Sequence, residues 1–193
     1  MTASSTRCCR SSDLLGALLA LWLALATALA AHAQGIEVRR GAFYVADDAY
    51  VLEAEFDIAL THTLEEALNK GVPLYFLFEF ELIRPRWYWF NEKIASSEQE
   101  YRLSYNALTR QYRIGVGPLH QNFATQGEAL AFMSRIRRRE TIEPGALRKD
   151  ATYVASLRLR LDTSQLPKPF QLTALGSREW TLSSDWYRWT VSP

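Results

Sequence analysis

Apolar and polar residues alternate with a period of two over three long stretches, the pattern of strands half-buried against a core. From position 50, Tyr50, Leu52, Ala54, Phe56 and Ile58 share one face, while Val51, Glu53, Glu55 and Asp57 take the other. Leu74, Phe76, Phe78, Phe80 and Leu82 alternate with Tyr75, Leu77, Glu79, Glu81 and Ile83, a strand apolar on both faces at its start and so expected inside a sheet. Tyr153, Ala155, Leu157, Leu159 and Leu161 alternate with Ser156, Arg158 and Arg160. Shorter runs predict strands over 36–45, 87–93, 101–108, 111–116 and 179–189. Turn residues such as Asp47-Asp48, Arg84-Pro85, Thr109-Arg110 and Gly115-Val116-Gly117-Pro118 join them.

Two short helices interrupt the alternation. Thr63-Leu64-Glu65-Glu66 reads as a capping box, in which the Thr63 hydroxyl and Glu66 carboxylate satisfy orphan amides, with Gly71 and Pro73 closing the helix. Thr125-Gln126-Gly127-Glu128 opens the second, whose apolar stripe is Ala129, Phe132, Met133 and Ile136. Both strings read Thr-x-x-Glu-Ala-Leu, but their flanks differ, so shared capping chemistry explains them better than a repeat. Many strands, two short helices and no βαβ rhythm predict a mainly β fold of antiparallel, sandwich-like sheets. Phe56, Phe76, Phe78, Phe80, Leu157, Leu159 and Leu161 are expected in its common core.

Ahead of the first strand lies a different pattern. Arg7 and Arg10 precede an uncharged run from Leu14 to Ala31 that closes on Ala31-His32-Ala33 before Gln34. A positive start, an apolar stretch and an A-x-A site mark a secretory signal peptide, cut between Ala33 and Gln34. The expected organisation is a signal segment over 1–33 and a single mainly β domain over 34–193, placed in the periplasm. The alternative is an uncleaved helix anchoring the domain to the inner membrane, since the apolar run approaches the roughly 20 residues that span a bilayer.

Composition narrows the classes. The chain has 193 residues, with 22 Lys and Arg against 21 Asp and Glu, and 48% hydrophobic residues, which excludes collagenous, disordered and multi-spanning proteins. A net charge of +1 lacks the basic excess of a dedicated nucleic-acid binder. Both cysteines, Cys8 and Cys9, precede the apolar run, so residues 34–193 contain none. Thiolate chemistry, cysteine-ligated metals and disulfide stapling are therefore excluded for the domain. With Arg7, Arg10 and Asp13 removed, basic and acidic side chains balance.

Candidate chemistry is sparse. Glu79 and Glu81 stand two apart on one strand face, about 7 Å from each other, a spacing compatible with paired acid and base work in glycoside hydrolysis. The structural alternative pairs them across the sheet with Arg158, Arg160 or Arg102. His62 and His120 have no partner at ligand spacing, and neither a nucleophile elbow nor a phosphate-cradling glycine loop occurs. No catalytic, metal or cofactor residue is assigned. Arg86-Trp87-Tyr88-Trp89-Phe90 is the most distinctive string; an exposed Trp87 and Trp89 face flanked by arginines suits a sugar or a protein partner, and a buried one simply fills the core. Arg135, Arg137, Arg138 and Arg139 are placed at the end of the second helix, where the dipole favours cations and where they could meet a partner's acidic patch or anionic lipid heads.

Three strings, Leu103 to Arg113, Leu161 to Pro169 and Trp180 to Trp186, resemble an uncharacterised family of exported proteobacterial proteins, the domain of unknown function 4390. The resemblance implies no activity, ligand or catalytic residue. Through a neighbouring gene for a membrane sensor kinase of the nitrogen-regulation type, it implies an envelope partner. Two function classes follow: a non-catalytic periplasmic module that binds an envelope protein or an anionic membrane surface, and a carbohydrate-active or glycan-binding protein that uses Glu79, Glu81, Trp87 and Trp89.

Overall fold

The computed structural model describes residues 35–192 apart from 47–48, 87, 89, 141, 143–146, 149 and 175–176. The expected signal segment and its cleavage point at Ala33 and Gln34 lie outside the described residues. Among the described residues, no helix is long and apolar enough to cross a membrane.

Nine strands form two antiparallel sheets among these residues. The first sheet contains β1 (Gly35–Ala46), β2 (Ala49–Ala59) and β7 (Arg135–Glu140), in the order β1-β2-β7. The second contains β3 (Leu74–Arg84), β4 (Glu92–Asn106), β5 (Gln111–Val116), β6 (Leu119–Phe123), β8 (Tyr153–Leu161) and β9 (Tyr187–Val191), in the order β6-β5-β4-β3-β8-β9. Helix α1 (His62–Asn69) carries the chain from the first sheet to the second, and α2 (Gln126–Met133) carries it back.

The three strongly alternating stretches behave as their pattern dictates. Leu74, Phe76, Phe78, Phe80 and Leu82 of β3 are essentially inaccessible, as are Tyr153, Ala155, Leu157 and Leu159 of β8, and β3 sits between β4 and β8. Leu52, Ala54, Phe56 and Ile58 of β2 close the core from the other sheet. Phe56 meets Phe78 edge-on at 6.1 Å, and Phe43 stacks on Phe80 at 5.6 Å, so aromatic pairs bridge the layers. Gly41 of β1 packs directly against the larger sheet: a Cβ there would lie 2.9 Å from the Trp189 ring and 3.1 Å from Leu157.

Four local expectations change. The cap of α1 is Thr61 rather than Thr63, with its hydroxyl accepting from the Leu64 amide at 3.3 Å and donating to the Glu179 carbonyl at 2.6 Å. Thr125 caps α2 as expected, but Ile136 and the arginines that follow belong to strand β7 and not to that helix. The helix stops at Ser134 because the next residues pair with β2, from Tyr50 opposite Glu140 to Glu55 opposite Arg135, and this ladder outweighs the helix propensity of arginine. The described residues among 85–91 are not in a strand; β4 begins at Glu92, beyond Pro85, which has no amide to give a ladder. A third helix, α3 (Lys168–Ala174), adds to the two the sequence predicts; it follows a 3₁₀ turn at Thr163–Gln165 in the connection from β8 to β9.

Candidate functional site

The carboxylate pair Glu79 and Glu81 is the one catalytic geometry the sequence offers. Register places Glu79 opposite Arg158 on the outward face of the larger sheet. Arg158 Nη2 donates to Glu79 Oε1 at 3.2 Å and Arg160 Nε to Oε2 at 3.1 Å, while the Arg158 guanidinium lies 4.5 Å over the Trp186 ring. Burial pushes the Glu79 carboxyl up, but the two arginines outweigh it and hold the group below the usual carboxylate range. That direction is opposite to the one a general acid needs. Glu81 accepts from Lys93 Nζ at 2.6 Å. Arg86 shares Glu92 with Arg84, and there too burial raises the carboxyl while both guanidinium groups lower it further. Trp87 and Trp89, the other half of the glycan reading, lie outside the described residues; Tyr88 and Phe90 between and after them are exposed. Among the described residues, no group of three His, Cys, Asp or Glu is poised for a metal.

The arginines of β7 divide by strand parity. Arg135 and Arg137 point outward to Glu55 at 3.8 Å and Glu53 at 3.0 Å, all solvent-exposed pairs of small energetic weight. Ile136, Arg138 and Glu140 alternate with them toward the other layer. Arg138 Nε sits 2.9 Å from Glu140 Oε1, and only 5% of the Glu140 side chain is accessible.

What the sequence does not reveal is the opening between the layers. β6 ends the larger sheet and β7 ends the smaller one, and α2 spans the short connection between them. A groove of about 590 Å³ runs along this seam, floored by Tyr101, Ile114, Val116 and Ile136 and flanked by Leu119 and Phe132. Leu119 is 75% exposed and Phe132 43%, and Phe123 holds the Phe132 ring at 5.3 Å. Three consecutive residues from each end strand, 119–121 and 135–137, form its banks. Among the described residues, no backbone hydrogen bond reaches the outer edge of either strand. Burial raises the Tyr101 hydroxyl on the floor, with Arg138 pulling it the other way. The hint in the sequence is the Gly117-Pro118 turn between Val116 and Leu119, where Gly117 takes the positive φ of 55° that the first central position of a II′ hairpin turn requires.

The three strings that carry the family resemblance have structural roles. Leu103 to Arg113 form the β4–β5 hairpin, Asp162 caps the 3₁₀ turn through the Ser164 amide, and Trp180, Leu182 and Ser184 are buried along the edge of β8. No curated protein and no solved structure matches the chain. A family model described as a domain of unknown function, DUF4390, matches residues 33–190, most of the sequence. The chain belongs to the DUF4390 family.

Proposed function

We propose that the protein is a non-catalytic, exported envelope module that takes up an extended, partly acidic segment of a protein partner in the seam between β6 and β7. The observation that carries this reading is the apolar groove lying between two strand edges that, among the described residues, no backbone hydrogen bond reaches. Free edges supply a ladder of main-chain donors and acceptors for a peptide strand, and an apolar floor supplies pockets for alternate side chains. Arg135 and Arg137 beside the mouth favour acidic residues in the partner, because their exposed pairings with Glu55 and Glu53 are cheap to exchange. The envelope location is supported by the charged start, the apolar run and Ala31-His32-Ala33, and N-terminal sequencing of envelope material should then return Gln34 first.

A photo-crosslinker at Leu119 or Phe132 should capture a protein in the envelope, whereas one at Leu172, 76% exposed on α3, should not. Capture from Leu119 should disappear in F132E. Equal capture from Leu172, or capture indifferent to F132E, overturns the seam reading. Binding to vesicles containing phosphatidylglycerol, lost in F132E without any protein capture, transfers the groove to the membrane surface instead.

A further inference from the structure

The β5–β6 hairpin has a second side, and the arginines there are matched differently from those elsewhere on the sheets. Tyr75, Arg102, Gly115 and His120 form one rung across β3, β4, β5 and β6 on the outward face of the larger sheet, with Ser104, Arg113 and Asn122 on the next. Around them is a polar groove of about 510 Å³. Arg158 and Arg160, on the same face, share Glu79, and Arg84 and Arg86 share Glu92. Arg102 and Arg113 meet no carboxylate among the described residues. Arg102 lies 5.7 Å over the Tyr75 ring, and Arg113 Nε donates to Asn122 Oδ1 at 3.0 Å. The one carboxylate lining the groove, Glu100, is one rung further along at about 7 Å and accepts from Gln165.

Gly115 sits between the two arginines. A Cβ built there has no neighbour closer than 3.8 Å, so the glycine is not forced by packing. Its effect is to leave a gap in the side-chain layer, bounded by Arg102, Arg113 and His120. Two guanidinium groups and an imidazole around such a gap match an acceptor-only group with several oxygens, which guanidinium forks bind through paired charge-assisted hydrogen bonds.

We propose that this outer groove binds a phosphate group, held by Arg102 and Arg113 over Gly115 with His120 at its rim. The site opens on the outward side of the hairpin and the seam on the inward side, and the two grooves share Leu119 and His120 at their common rim. Glu100 confines the anion to the Arg102–Arg113 end, and Ser104 offers a hydroxyl beside it. The phosphate has two possible sources, a lipid headgroup or a phosphorylated soluble molecule or glycan.

Pyrophosphate and inorganic phosphate titrated into the purified, ¹⁵N-labelled protein should move the Gly115 and His120 amide signals saturably. Replacing both Arg102 and Arg113 by Gln should weaken the response about tenfold or more, the scale of one lost charge-assisted hydrogen bond. Gly115→Val fills the gap with a residue that strands favour, so it should keep the fold and abolish the response without removing any charge. Arg110→Gln, an exposed arginine on the neighbouring turn, should change nothing. Sedimentation with vesicles of phosphatidylcholine plus phosphatidic acid, lost in the double Gln variant, assigns the headgroup; pyrophosphate binding without vesicle binding assigns the soluble source. No saturable shift, a response unchanged in G115V, or equal weakening by Arg110→Gln overturns the proposal.

Discussion

Glu79 shows how far single side chains can be read before their surroundings are known. Its pairing with Arg158 and Arg160 is legible in the sequence, because residues on the outward parity of neighbouring strands must meet something, and opposite charges are the inexpensive solution. That both arginines converge on one carboxylate, and that Trp186 covers one of them, depends on register that no spacing encodes. A carboxyl held below its unfolded value of about 4.3 stabilises the fold fully above that pH and loses the contribution as pH falls through the folded value. Glu79→Gln should therefore cost about 1–3 kcal/mol at pH 7. The gap between wild type and variant in denaturant titrations should narrow on acidification below about 4.3. A gap that widens in acid would mean that the carboxyl is not held low. Thr61 and Thr63 give a second residue-level test, because the sequence assigns the cap to the wrong one. Thr61→Ala removes both the cap and the bond to the Glu179 carbonyl and should cost about 1–2 kcal/mol. Thr63→Ala loses only an exposed contact to the Glu179 carboxylate and should stay within about 0.5 kcal/mol of wild type in the same titration.

Elements divide by how much apolar surface they bury. Strands β2, β3 and β8 alternate strongly, and their faces are visible in the sequence. The edge strands β6 and β7 are not. β7 reads Arg-Ile-Arg-Arg-Arg-Glu with a single apolar residue, and β6 reads Leu-His-Gln-Asn-Phe, so neither carries a period. Short edge strands with few apolar residues avoid unwanted pairing, and the same property erases the signal that would reveal them. The candidate seam was hidden for this reason: both of its banks are such strands. The first half of β4, from Ala95 to Glu100, is polar as well and becomes a strand because β3 offers it a full ladder. Contact between the sheets is set by a different kind of residue. Gly41 lets β1 approach the Trp189 ring, and Gly41→Ala would place a methyl at 2.9 Å from it. The ring must shift, so the variant should lose about 1–3 kcal/mol in chemical denaturation, as overpacked sites do. Gly35→Ala, whose Cβ meets nothing within 4 Å, is the control and should remain near wild type.

At the scale of the whole molecule, the chain passes between the sheets through α1 and α2, and the described residues share one core. Ile36 and Phe56 from the smaller sheet pack in the same cluster as Phe78, Leu103 and Leu159 from the larger one. No cysteine follows residue 9, so that cluster must hold the domain without a disulfide, and reductant should not alter its melting. Because the core belongs to both sheets, neither can lose it alone. Phe78 is wholly inaccessible and packs edge-on against Phe56 across the layers, so Phe78→Ala deletes a ring at the contact that joins them. The expected cost is about 3–5 kcal/mol, from lost burial together with the cavity left behind. The form of the transition tests the architecture more sharply than its midpoint. Three of the six tryptophans that give the fluorescence signal, Trp180, Trp186 and Trp189, lie beside the larger sheet, whereas far-UV circular dichroism averages over all strands. In wild type and Phe78→Ala alike, the two signals should give the same midpoint in urea, as a single cooperative unit requires. If dichroism is lost before fluorescence, the smaller sheet unfolds by itself, and the shared core does not couple the layers.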